Sequence, residues 1–393
     1  MTVPKKRVRN YGVDILRMLS MFMIVLLHVL GHGGILRTCK KNSTNYAVAF
    51  YIETAAYCAV NVFGMISGYL HINLKHNNFK IIPLCLTLYF YSVTMGLLAY
   101  LFQRPLYNKF GLLKGIILPV SSKHYWYFNS YFCLYFLIPY INKVLNALTK
   151  EEFKKLIITI FTLFTVLPLI FLNRQDLYLT KRGYSPWWLG ILYVIGAYYR
   201  LYPVKISKIF SFLLYIGSVT IAWASKVYRW RINFLHYDSF FILTSGVFLL
   251  LFFTQVNVTN RFIQKLIVLG SSVAFSVYVI HVNYFFYSSM GGRFKYISKA
   301  STHGLILKVL ASTASIYFSC SIIDLFRHYL FKYLKVNNIP IILSDILSKM
   351  KTNSYQKLNN DETNDIINEI NNDISGFNES RSSEVTVEMK NEY

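Results

Sequence analysis

Long apolar segments restrict the fold of this sequence more than any other feature. Ten windows of about 18–25 mostly apolar residues are each long enough to cross a lipid bilayer as a helix. They cover residues 11–33, 46–70, 81–103, 125–145, 154–173, 186–203, 207–226, 237–256, 266–288 and 304–331. Because a spanning segment must satisfy its backbone hydrogen bonds internally, the pattern predicts an all-α, polytopic membrane helix bundle with about ten transmembrane helices.

Charge and composition agree with a membrane location. Only 15% of the residues are charged and 54% are hydrophobic, whereas soluble domains carry about 25% charged residues. The net charge of +24 comes from short basic clusters between the apolar segments, such as Lys5-Lys6-Arg7. Clusters in such positions indicate loops beside lipid headgroups. We therefore expect membrane lipid as a partner and no nucleic acid.

The two ends of the chain differ in character. The first apolar segment contains Asp14 and Arg17, and no small-residue cleavage pattern follows it, so it predicts a retained helix and not a signal peptide. The basic cluster before it favours a cytoplasmic N-terminus, and an even number of spans then places the C-terminus there too. We predict a membrane-embedded domain over residues 1–338 and a polar, disordered tail over 339–393.

Ionisable residues inside the first apolar segment are candidates for a functional site, since charges within a span are costly. Arg17 and His28 are eleven residues apart. A helix therefore places them within about 20° of the same face and about 16 Å apart along its axis. Two simpler interpretations stay open: Arg17 as an interfacial anchor whose side chain snorkels, and His28 as a structural histidine.

Metal binding and disulfides are not indicated. His28 and His32 have a spacing that can bind metal, but no third ligand follows nearby, so we expect no metal. The cysteines are scattered without the spacing of a metal site or a disulfide framework; they are Cys39, Cys58, Cys85, Cys133 and Cys320.

The second apolar segment adds a carboxylate and a small-residue motif. Glu53 lies at about the same membrane depth as His28 if the two segments are antiparallel. A carboxylate there can orient the imidazole and stabilise the imidazolium in general-base catalysis; the alternative is a structural hydrogen bond between helices. Ser67-Gly68-Tyr69 ends the segment and, taken alone, indicates close helix packing.

Four features occur in order along the chain: Arg17 followed after ten residues by His28, the segment FGMISGYL, the segment YWYFNSYFCLYFLIPYINKVL, and SSVAFSVYVIH ending at His281. Together they resemble the acyltransferase 3 family of bacterial membrane O-acyltransferases, over about residues 10–335. The resemblance implies a ten-helix enzyme of the bacterial plasma membrane. Such an enzyme moves an acyl group, usually acetyl from acetyl-CoA, onto a sugar hydroxyl.

The resemblance also implies roles for individual residues. His28 is the expected catalytic base, and Arg17 belongs to the donor site. The shared motif that lines the cavity is Ser67, Gly68 and Tyr69, and further cavity candidates are Trp126, Tyr127 and His281.

The chain departs from the family pattern at two positions. The loop after the second segment has only Lys75 and Lys80 where many members carry R-x-x-R, so these lysines are the candidate donor-binding cations. Val282 stands where a proline often follows the histidine. The family pattern therefore leaves the binding site of the CoA phosphates undefined.

The predicted function is O-acetylation of a cell-surface or capsular polysaccharide, or of its lipid-linked precursor. Acyl-CoA is the donor substrate, and no permanently bound cofactor is expected. Direct transfer and a covalent acyl-histidine remain alternatives.

A polysaccharide flippase or polymerase is the rival function, but flippases usually have more spans and polymerases a larger loop than the one at 104–124. A membrane sensor or scaffold would leave the shared face of Arg17 and His28 unexplained.

Overall fold

The computed structural model describes residues 9–102, 125–170 and 178–350, and within these ranges the regular structure is helical without a strand. Short helical turns join the longer helices. The helices are α1 Tyr11–Leu30, α2 Ile35–Thr38, α3 Thr44–Tyr57, α4 Ala59–His71, α5 Ile82–Phe102, α6 Trp126–Ala147, α7 Lys150–Phe161, α8 Pro186–Leu201, α9 Lys208–Val227, α10 Phe240–Thr254, α11 Arg261–His281, α12 Tyr284–Met290 and α13 Thr302–Tyr333. A π-helical turn, Thr162–Val166, extends α7 to Ile170.

Among the described residues, every predicted apolar segment is largely helical, and the all-helical membrane class is confirmed. In the part of the chain that the structure describes, seven helical stretches are long and apolar enough to cross a membrane; they are Tyr11–Thr38, Thr44–His71, Asn78–Phe102, Lys150–Ile170, Lys208–Val227, Arg261–His281 and Thr302–Tyr333. The remaining three predicted segments differ in length or polarity. α8 has 16 residues and α10 has 15, while α6 contains three asparagines and a lysine. The count of about ten spans therefore remains a prediction.

Polar residues at the helix starts explain where several helices begin. Asn10 accepts a hydrogen bond from the backbone N–H of Val13 at the start of α1. Ser185 caps α8 in the same way, and Pro186 follows it at the first helical position, where its missing N–H costs nothing. Such caps satisfy donors that a helix end leaves unpaired. They fix the positions at which the apolar helices leave the loops.

Two predicted segments are interrupted. The segment 46–70 is two helices, since α3 ends at Tyr57 and α4 begins at Ala59. The segment 266–288 ends as a regular helix at His281. Asn283 then accepts a hydrogen bond from the N–H of Phe285 and starts α12. Because an asparagine cap starts a new helix rather than continuing the old one, the apolar run does not form a single helix.

Helix α1 lies at the centre of the bundle, in contact with α3, α4, α10, α11 and α13. Around it, α4 and α8 approach most closely. A Cβ atom on Gly68 would lie 1.9 Å from the carbonyl oxygen of Tyr193, and one on Gly196 would lie 1.9 Å from that of Met65. Only glycine permits this distance between backbones. Gly68 therefore provides the close helix packing that the small-residue motif predicts.

The chain divides into two compact units, Met1–Val336 and Asn337–Tyr393. In the second unit, residues 339–350 form a helix; the disorder expected for the tail stays a prediction. Ile342, Ile346 and Met350 recur at helical spacing, which favours a helix. The rest of the predicted tail, 351–393, lies outside the described residues, as do the basic cluster at 5–7 and the loop at 104–124.

Candidate active site

A cavity of about 740 Å³ runs along one face of α1. The α1 side chains that line it recur every three or four residues, the period of one helix face: Arg17, Met21, Ile24 and His28, with His32 just beyond the helix. The fifteen residues from Arg17 to His32 correspond to about 22 Å at helical rise. Arg17 and His28 therefore share a cavity, as their spacing predicts. Its two ends are called here the Arg17 end and the His28 end.

His28 is held by a second histidine. Its Nδ1 atom lies 2.9 Å from Nε2 of His281, and Nδ1 of His281 lies 2.6 Å from the carbonyl oxygen of Val277. That carbonyl only accepts, so Nδ1 of His281 carries a proton and donates it. His281 is fully buried, where an imidazolium would be costly, and its Nε2 is therefore an acceptor. It follows that His28 donates from Nδ1 and that its Nε2 is the basic nitrogen.

Tyr287 completes the surroundings of His28. The two rings meet edge to face with centroids 5.3 Å apart. His32 stacks on the same tyrosine at 3.8 Å and donates from Nε2 to its backbone carbonyl at 2.8 Å. These contacts join α12 to the region just after α1. They fix the aromatic wall against which the His28 imidazole lies.

Glu53 lines the cavity, but not as the predicted partner of His28. Its Oε2 atom is buried and has no hydrogen-bond partner among the described residues. The contact to Nδ1 of His28 comes from His281, which corrects the expected Glu53–His28 pair. Glu53 and His28 line the same cavity, but a similar depth does not determine which side chains touch. A buried, unpaired acceptor in a cavity is suited to bind a ligand that donates a hydrogen bond.

A polar network holds Arg17 at the other end of the cavity. Its Nη1 atom donates to Oγ of Ser271 at 3.0 Å, and Ser271 donates to Oδ1 of Asp14 at 3.0 Å. Asp14 also pairs with Arg9, at 2.6 Å between Nε and Oδ2. A guanidinium has five N–H donors, and the Arg17 side chain retains 28% of its exposure. Arg17 is thus fixed in place with donor capacity for a ligand.

The other predicted site residues fall into two groups. Ser67, Trp126 and Tyr127 line the cavity. The remaining ones are not among its lining residues: Gly68, Tyr69, Lys75, Lys80 and His281.

Each residue outside the lining has another environment. Gly68 packs against α8, and Tyr69 lies under the Arg200 guanidinium, 5.1 Å from the ring centroid. Lys75 and Lys80 are exposed. They come after the C-terminal end of α4, so they do not lie on the helix face that lines the cavity.

Sequence reasoning missed the tyrosines at the His28 end. Tyr57 and Tyr237 stack with centroids 4.7 Å apart, and Tyr184 lies 5.0 Å from Tyr237. All three line the cavity. Tyr184 and Tyr237 lie in separate loops, where no helical spacing of residues indicates a shared site. The sequence hinted at them only through its high total of 32 tyrosines.

Comparison with known proteins identifies the family. Neither the curated proteins nor the solved structures gave a match to the chain. A family model, acyltransferase 3, described as an acyltransferase domain, matches residues 10–324. That range contains every described residue that lines the cavity. The match favours an acyltransferase over a flippase, polymerase or scaffold. The match covers well over half of the chain, which therefore belongs to the acyltransferase 3 family of membrane acyltransferases.

Proposed function

We propose that this protein transfers an acyl group, typically acetyl, from acyl-CoA to a hydroxyl of a surface polysaccharide or its lipid-linked precursor. The observation that supports this most is His28, oriented by His281 in a cavity that also contains Arg17, about 16 Å away along the helix axis. A long donor needs such a shape. Its charged part can bind near a cation while its thioester reaches a base.

The chemistry requires only groups that the cavity contains. The acceptor hydroxyl binds beside His28, and Nε2 of His28 takes its proton as the oxygen attacks the thioester carbonyl carbon. The tetrahedral intermediate then loses the C–S bond, and the thiolate takes the proton from the imidazolium and leaves as CoA thiol. His281 keeps the His28 tautomer correct through both steps. The cavity supplies proximity by aligning donor and acceptor.

The two ends of the cavity suggest a direction for transfer. We place the Arg17 end toward the cytoplasm, where acyl-CoA is available, in agreement with the basic N-terminal cluster. The His28 end then faces the outer side of the plasma membrane. Tyr57, Tyr184 and Tyr237 at this end present flat apolar rings with polar tips, a surface suited to a sugar. Glu53 accepts a hydrogen bond from one of its hydroxyls.

Transfer of labelled acetyl groups tests this function. The full chain, purified in lipid nanodiscs, is given acetyl-CoA labelled in the acetyl group and polysaccharide from cells that lack the gene. The expected result is label in the polymer that mild alkali releases, because O-acetyl esters are base-labile. Label that never leaves CoA, or an alkali-stable product, would contradict the proposal. Release of one equivalent of CoA without acceptor would indicate the covalent acyl-histidine route.

A further inference from the structure

A second pocket, of about 470 Å³, adjoins the Arg17 end of the cavity. It lies between the start of α1, the first three turns of α11 and the end of α13. Its lining residues are Tyr11, Arg261, Gln264, Lys265, Val268, Leu269, Ser272 and His328. Ser272 lines the main cavity as well, so the two spaces are neighbours that share one lining side chain.

One face of α11 connects the pocket to the cavity. Arg261, Lys265, Val268 and Ser272 recur every three or four residues and so lie on the same face. The neighbouring residue, Ser271, is the one that binds Arg17. Along this helix, the sixteen residues from Lys265 to His281 correspond to about 24 Å. A ligand held at the start of α11 would therefore have to extend about 24 Å, past Ser272 and along the cavity, to reach the His28 end.

The pocket is basic. Three of its eight lining residues are basic, namely Arg261, Lys265 and His328, and among the described residues no carboxylate lines the space. The main cavity, by contrast, has Arg17, which already pairs with Asp14. The candidate cations Lys75 and Lys80 are exposed, as Arg261 and Lys265 are, but only the latter pair lines a pocket. A ligand with several phosphates needs more than one cation, and charge-assisted contacts of this kind are the strong ones.

We propose that this basic pocket binds the 3′,5′-ADP part of the acyl-CoA donor. The proposal rests on the proposed function, since it assigns one part of the same donor. The phosphates contact Arg261, Lys265 and His328, and the pantetheine arm passes Ser272 and Arg17 toward His28. The donor is thereby held at its charged end by α11 and α13, and the pocket takes the place of the R-x-x-R pair that the loop after α4 lacks.

Comparison of acetyl-CoA with a donor that lacks the nucleotide distinguishes a role in nucleotide binding from a general effect on folding. The double variant Arg261→Gln, Lys265→Gln is compared with wild type on acetyl-CoA and on S-acetyl-pantetheine. The expected result is a rise of about tenfold or more in KM for acetyl-CoA, as tenfold corresponds to 1.4 kcal/mol, and an unchanged KM for S-acetyl-pantetheine. The matched control is Lys154→Gln, Lys155→Gln, which removes the same charge from exposed positions on α7. Equal effects on both donors would overturn the proposal, as would a larger effect from Lys75→Gln, Lys80→Gln.

Direct binding separates donor phosphates from lipid phosphates. The wild-type chain in nanodiscs of purely zwitterionic lipid should bind 3′,5′-ADP by calorimetry, and the Arg261, Lys265 double variant should lose that binding. If 3′,5′-ADP does not bind, and the variant instead loses affinity for anionic-lipid nanodiscs, the pocket holds a lipid headgroup and the proposal is wrong. This measurement needs no turnover. Nucleotide binding without acyl transfer would therefore overturn the proposed function and leave the pocket assignment standing.

Discussion

Nδ1 of His28 lies 2.9 Å from Nε2 of His281, although 253 residues separate the two in sequence. The second histidine in turn donates to the carbonyl of Val277 at 2.6 Å. This chain of two hydrogen bonds determines which nitrogen of His28 is basic. It gives His281 a positioning role, because it acts on the reaction only through His28.

The first prediction concerns this positioning. His281→Phe keeps an aromatic ring but removes both hydrogen bonds, so kcat should fall about tenfold or more while KM for acetyl-CoA changes little. His281→Gln offers one donor and one acceptor and should restore part of the rate. Initial rates against donor concentration give both constants. An unchanged kcat in a well-folded His281→Phe protein would contradict the positioning role.

The second prediction concerns the donor. Arg17 holds its place through Ser271 and Asp14, so its remaining donors are available to the acyl-CoA. Arg17→Ala should raise KM for acetyl-CoA about tenfold, since a charge-assisted hydrogen bond contributes about 1.5–3 kcal/mol. Arg17→Lys should raise it less, unless a bidentate contact is used. If donor dependence is the same in all three proteins, Arg17 is an interfacial anchor only.

The third prediction concerns the acceptor. Oε2 of Glu53 is buried in the cavity without a hydrogen-bond partner among the described residues. Glu53→Gln should therefore raise KM for the glycan severalfold and leave KM for acetyl-CoA unchanged, because an amide accepts more weakly than a carboxylate. Glu151→Gln, at an exposed position on α7, serves as the control. A variant with wild-type kinetics for both substrates would remove Glu53 from the site.

The fourth prediction concerns the packing of α4 on α8. Gly68→Ala would place a Cβ atom 1.9 Å from the Tyr193 carbonyl oxygen. The helices must then separate, and we expect a loss of about 1–3 kcal/mol in stability, visible as a lower melting temperature in detergent. Gly217→Ala is the matched control, because its Cβ would meet nothing within 4 Å. Equal melting temperatures for the two variants would show that α4 and α8 do not pack this closely.

Much of the fold could be predicted from the sequence because apolar length is a local property. The predicted segment 207–226 and helix α9, Lys208–Val227, agree to within one residue. Breaks between helices within one apolar segment were harder to predict. Asn283 starts a new helix inside an apolar run, and no hydropathy average registers a single cap residue.

The site could be predicted only in part, for a related reason. Arg17 and His28 lie on one helix, so their spacing determined their shared face. Contacts between helices depend on rotation as well as depth. Their expected depth suggested that Glu53 would contact His28, but the rotation of the helices about their axes brings His281 to His28 instead. Likewise the basic pocket joins residues from the start of α11 and the end of α13, which no local pattern brings together.

The central claim is that His28 is the catalytic base, and the O-acetyl content of the glycan tests it most directly. Cells that lack the gene are complemented with wild type, His28→Ala or His303→Ala, the last a histidine at an exposed position early in α13. Membrane levels of the three proteins are matched by immunoblot, and proton NMR of the purified polysaccharide measures acetyl per repeat unit. We expect normal O-acetylation with wild type and His303→Ala and none above background with His28→Ala. Normal O-acetyl content with His28→Ala would contradict the account.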